Sequence, residues 1–96
     1  MDLNLKDRVV LVTGANRGLG RALAAAAVAE GARVAVIGRD ASAGAETVQA
    51  LGPERASWHL CDVSDEAQVG PMIAEVADWH GRIDAVVKNA GRFGGS

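Results

Sequence analysis

Four short apolar runs, each cut off by a glycine or a polar residue, constrain this chain more than any other feature. They are Arg8–Thr13 before Gly14, Ala32–Ile37 before Gly38, Arg55–Cys61 before Asp62, and Arg82–Lys88 before Asn89-Ala90-Gly91. Continuous Val/Ile/Leu runs bounded in this way read as strands buried on both faces, the pattern of a parallel sheet. Helical stretches separate them. Gly18–Glu30 is rich in alanine, the strongest helix former, and Gly31 stands where a C-terminal cap belongs. Ala41–Leu51 predicts a shorter helix ending before Gly52-Pro53. A third helix is expected from a Ser64 N-cap, through the favourable charges of Asp65 and Glu66, to His80, with Gly81 as its stop. Pro71 is expected to kink it, because proline removes a hydrogen bond inside a helix.

The order is therefore β-α-β-α-β-α-β. Parallel neighbours require crossovers of one hand, which predicts an α/β, Rossmann-like, doubly wound parallel sheet with strand order 3-2-1-4. Residues 1–96 are expected to form one domain, its sheet incomplete on the C-terminal side. In such a sheet ligands bind outside the carboxyl ends of the strands. Gly14, Gly38, Asp62 and Asn89–Gly91 all fall there.

Composition removes several function classes. The 96 residues are 49% hydrophobic and 23% charged, a globular rather than a disordered mixture. Ten Lys and Arg against twelve Asp and Glu give a net charge of −2, which argues against a basic nucleic-acid module. No apolar run approaches the ~20 residues that span a bilayer, and the N-terminus lacks a signal-like basic flank. A single cysteine excludes an internal disulfide and suggests a reducing compartment, so cytoplasm is expected.

Chemistry enters at Thr13-Gly14-Ala15-Asn16-Arg17-Gly18-Leu19-Gly20. A pyrophosphate needs backbone N–H donors at a helix N-terminus and no Cβ barring its approach. Gly14 suits the tight turn, Gly18 the approach of main chain to phosphate, and Gly20 close packing of helix on strand. The spacing departs from G-x-G-x-x-G; it is T-G-x-x-x-G-x-G. With this motif, Asp62-Val63 after the third strand, Gly81-Arg82-Ile83-Asp84 and Asn89-Ala90-Gly91, nearly the whole chain resembles the short-chain dehydrogenase/reductase family.

The resemblance implies a nicotinamide dinucleotide cofactor held by Gly14, Asn16, Arg17, Gly18, Leu19 and Gly20. It implies an adenine contact from Asp62 and Val63, and a segment Asn89, Ala90 and Gly91 bracing the sheet beside the cofactor. Lys88 departs from the family, which usually has an asparagine there; an ammonium cannot accept a hydrogen bond. The end of the second strand should meet the adenosine ribose, where an acid favours NAD. Here it carries Gly38 and then Arg39, and a guanidinium matches a phosphate with forked donors. Basic residues at positions 17 and 39 accompany NADP preference in the family. At about 1.5–3 kcal/mol for each charge-assisted bond, two arginines favour NADP roughly a hundredfold. A shifted register would instead make Asp40 the ribose acid and give NAD, and two merely solvated arginines would give neither preference.

Cys61 reads as a small core side chain. His59 and His80 lack metal-ligand spacing, so no metal site is expected. Trp58 and Trp79 read as partly buried packing residues. The family reduces a ketone or oxidises an alcohol with a serine and a Tyr-x-x-x-Lys pair, the tyrosine supplying the proton. This sequence contains no tyrosine, and no catalytic residue is assigned. The expected function is the NADP(H)-binding portion of such an oxidoreductase, truncated or gene-fragmented and inactive alone. The alternatives are a non-catalytic nucleotide-binding module working with a partner chain, or a non-binding remnant. With no fifth strand in these residues, the fourth becomes an unpaired edge, which suggests self-association.

Overall fold

The computed structural model describes residues 5–14 and 18–88. Seven elements follow one another: β1 (Val9–Thr13), α1 (Gly18–Ala29), β2 (Arg33–Gly38), α2 (Ala41–Leu51), β3 (Ala56–Leu60), α3 (Glu66–His80) and β4 (Ala85–Lys88). The four strands are parallel in the order β3-β2-β1-β4, the expected doubly wound arrangement. Val10 pairs with Val34 and Ala85, and Val34 with Ala56, so one register row crosses the whole sheet.

Side chains alternate between the two faces of that sheet. Val10, Val12, Val34 and Val36 point to one side, where they pack with Ala24 and Ala27 of α1; Leu51 and Trp58 join them. Leu11, Ala35 and Ile37 point to the other and meet Met72 and Val76 of α3, together with Cys61. β1 and β2 are thus covered on both sides, which is why their sequences are continuously apolar. β4 is not: Val86 is 55% exposed, and its strand forms one edge of the sheet among the described residues.

Local chemistry sets the helix ends. α1 closes in a Schellman motif, with Ala32 N–H donating to Ala27 O and Gly31 N–H to Val28 O. Gly31 takes φ +92°, a left-handed value suited to glycine. Asp40 caps α2 by accepting from Ala43 N–H at 3.1 Å. α3 differs from expectation at its start. Its N-cap is Asp65, whose carboxylate accepts from Ala67 N–H at 3.0 Å. Ser64 instead donates its hydroxyl to Asp62 at 2.6 Å, so its oxygen serves the preceding turn. α3 runs from Glu66 to His80 with Pro71 inside it. The residue before it is Gly70, which offers no Cβ for the proline ring to strike. Gly81, at φ +84°, ends the helix and donates to Ala77 O.

Asp84 explains the Gly81–Asp84 signature. Its backbone N–H donates to Val9 O and its carboxylate accepts from Val9 N–H, both at 2.8 Å, which fixes β4 beside β1. Val9 N–H, Arg82 and Arg8 together hold its carboxyl below the ordinary range.

Candidate functional site

The parallel register brings three strand ends to one rim. Thr13, Ile37 and His59 lie in one row, and Gly38 pairs with Leu60, so the segments leaving β1, β2 and β3 depart side by side. Gly14 N–H donates to Ile37 O at 3.1 Å and Cys61 N–H to Gly38 O at 2.8 Å, tying those exits together. Lys88 pairs with Thr13, which places the end of β4 on the same rim.

Gly14 and Gly18 both adopt positive φ, +68° and +59°. Side chains there would be strained, so the glycines are dictated by backbone conformation. Among the described residues, a Cβ on Gly18 would meet nothing within 4 Å. The first turn of α1 carries no acidic residue to repel an anion. Gly20 is buried against the sheet, as close helix packing requires, whereas Leu19 points outward. These features fit the pyrophosphate of a dinucleotide. Asn16 and Arg17 lie outside the described residues, as do Asn89, Ala90 and Gly91.

At the expected adenosine end, Arg39 is 77% exposed at its side chain and stands 4.0 Å from Asp62 Oδ2. The pair is loose and solvated, a weak contact that leaves the guanidinium available. Asp62 accepts from the Ser64 hydroxyl and the Ser64 N–H, and these bonds, with Arg39 beyond them, lower its pKa below that of a free aspartate. Its own N–H donates to Gln68 Oε1 at 2.9 Å, and the neighbouring Val63 is exposed. Asp40, the competing ribose acid, has its carboxylate engaged at the α2 cap.

Gly38 has a reason that the sequence did not disclose. A Cβ at this position would stand 3.0 Å from Trp58 Cη2 and 3.1 Å from Cζ3. A side chain at this position would crowd the edge of the indole ring.

Two histidines far apart in sequence prove to be joined. Arg33 Nε donates to His80 Nδ1 at 3.2 Å, so the His80 proton resides on Nε2, 2.8 Å from Ser57 Oγ. Ser57 Oγ is also hydrogen-bonded to His59 Nε2 at 2.7 Å, and His59 Nδ1 to Glu75. The chain of bonds runs from guanidinium to carboxylate and links β2, β3 and α3. Burial and the Arg33 charge push the His80 pKa below its usual value, with a further contribution from His59. Ser57 and His59 are buried, so the arrangement joins elements and presents no nucleophile to solvent. The alternation of Ser57 and His59 opposite Trp58 was the available sequence signal. Trp79 differs from expectation: it is 61% exposed, lying edge-on to His59 at the outer side of α3.

Cys61 is buried, and burial raises its thiol pKa, as suits a core residue. Among the described residues, no group of three His, Cys, Asp or Glu side chains could hold a metal ion, and no helix is long and apolar enough to cross a membrane.

The family model described as "short chain dehydrogenase" matches residues 8–96. A 3beta-hydroxysteroid dehydrogenase of Mediterraneibacter gnavus is 39% identical over 92 residues, covering 94% of this chain and 33% of its own. The 15-hydroxyprostaglandin dehydrogenase [NAD(+)] of Homo sapiens is 38% identical over 93 residues, covering 93% and 35%. A crystal structure of a short chain dehydrogenase from Bacillus anthracis superimposes with a TM-score of 0.83 at 30% identity, over 88% of this chain and 35% of that one. The chain thus spans about a third of the length of the curated relatives it matches.

Proposed function

Because the chain belongs to the short-chain dehydrogenase family, whose members bind NAD or NADP, we propose that it binds NADP(H) for hydride transfer to or from an alcohol or ketone. The observation that carries the cofactor choice is the pairing of an uncommitted Arg39 with a committed Asp40. The guanidinium stands exposed at the end of β2, whereas the nearest alternative acid is occupied in capping α2. A ribose 2′-phosphate draws Arg39 from its loose contact with Asp62.

In this reading Gly14, Gly18, Gly20 and the first turn of α1 receive the pyrophosphate, with Asn16, Arg17 and Leu19 bordering it. Asp62 accepts from the adenine amino group, and Val63 packs beside the ring. Asn89, Ala90 and Gly91 flank the nicotinamide side. When bound, the cofactor supplies or takes up hydride; the proton donor that balances the reaction is not assigned to any of these 96 residues. Catalysis by the chain alone is therefore not expected, and the exposed edge of β4 is where further chain would pair.

Fluorescence titration of the 96-residue protein with NADPH and NADH tests this. NADPH should bind at least tenfold more tightly, and Arg39→Ala should weaken NADPH by about 10–100-fold while leaving NADH nearly unchanged. Equal affinities, or equal losses for both cofactors, would refute the NADP assignment.

A further inference from the structure

We infer that Trp58 helps set the cofactor choice without touching the cofactor, by crowding position 38 so that a side chain there is disfavoured. The inference rests on the NADP(H) reading above. Trp58 stands on β3 opposite Val36 of β2, on the sheet face covered by α1 and α2. Its ring lies across Gly44 of α2: a Cβ there would be 2.1 Å from Cδ2 and 2.3 Å from Cε2 and Cε3. The far edge of the same ring, Cη2 and Cζ3, meets the space where a Cβ on Gly38 would stand.

The two glycines hold the ring from different sides. It cannot retreat across α2, because Gly44 already yields its Cβ position to the indole. Nor can it sink inward, because Val34 and Val36 fill the core against which it packs. Any side chain at position 38 therefore requires a rigid bicyclic ring, seated between a helix and a sheet, to give by a few tenths of an ångström, which is costly where the ring is packed.

The consequence falls on the ribose. A carboxylate at the end of β2 is the group that accepts from both ribose hydroxyls and repels a 2′-phosphate. With position 38 held as glycine, the first side chain able to meet the ribose end is Arg39, a cation. Trp58 is thus a positioning residue for specificity: it excludes the NAD-type acid and leaves the ribose end to the guanidinium.

Four proteins test this: wild type, Gly38→Asp, Trp58→Phe and the double variant. Phenylalanine keeps a ring over Gly44 and lacks the benzo edge that faces Gly38. Melting temperature is read without cofactor, and NADPH and NADH affinities are read by fluorescence. In the wild-type background Gly38→Asp should lower the melting temperature or prevent folding, without gaining NADH affinity. In the Trp58→Phe background it should cost less stability and invert the affinity ratio toward NADH by at least tenfold, which loss of packing alone would not do. Trp58 has no such role if Gly38→Asp alone melts like wild type and inverts the ratio. The inference is equally overturned if Trp58→Phe leaves either the stability cost or the ratio unchanged. A wild-type protein that fails to prefer NADPH refutes the cofactor reading instead, while the melting temperatures still report whether ring and side chain collide.

Discussion

The two faces of the sheet are built on opposite principles. Toward α1 and α2 the strands present valines, and the helices answer with alanine and glycine, so backbones approach closely and one indole fills the remaining space. Toward α3 the inner strands are equally apolar, but β3 presents Ser57 and His59, and the helix answers with Glu75 and His80. The first face is held by shape, which tolerates no added atom. The second is held partly by directed hydrogen bonds, which tolerate no missing one. The difference arises within three consecutive residues, Ser57-Trp58-His59, because a strand sends neighbours to opposite sides.

Substitutions can break the comparison. Gly44→Ala should have the largest effect: its Cβ would overlap the Trp58 ring, and a loss of about 3 kcal/mol or more is expected in urea unfolding. A near-neutral result would mean that the shape-held face is softer than its geometry implies. On the other face Ser57→Ala removes the link between His80 and His59 and leaves both ring nitrogens unpaired, for about 1–3 kcal/mol.

Smaller changes sharpen it. Asp65→Ala should cost about 1 kcal/mol through loss of the α3 cap, and Ser64→Ala distinctly less, reversing the order that the sequence suggests. Acidification should act on the α3 face first. The folded-state pKa of His80 is depressed, so the unfolded chain takes up a proton more readily. Its contribution is complete above the ordinary imidazole value of about 6.5 and is lost as pH falls below it. Asp7, Asp62 and Asp84 are also depressed, from 3.8, and their contributions decline only at still lower pH. Thermal melts from pH 7.5 to 5.5 should therefore show a modest decline that His80→Gln flattens; Trp79 fluorescence, beside both imidazoles, reports the same step locally.

The legible and illegible parts divide along the same line. Helix Ala41–Leu51 was readable to the residue because Asp40 and Gly52 mark its ends chemically. The strand order was readable because right-handed crossovers leave little choice once four buried runs alternate with helices. The cap of α3 was misread because Ser64 and Asp65 both carry suitable oxygens, and only the turn at Asp62 decides which is free.

What the sequence by itself determined is the set of local, periodic facts: alternating elements, glycine-rich exits, and the parallel strands that gather their carboxyl ends on one rim. These follow from steric limits on neighbouring residues and from burial on both sheet faces, both of which act over a few positions. Only the tertiary structure decided which distant side chains share a space. Gly38 lies against a tryptophan twenty residues away, and His59 is bonded to Glu75 and, through Ser57, to His80. Packing and hydrogen bonding are settled by proximity across elements, a property that no stretch of sequence carries alone.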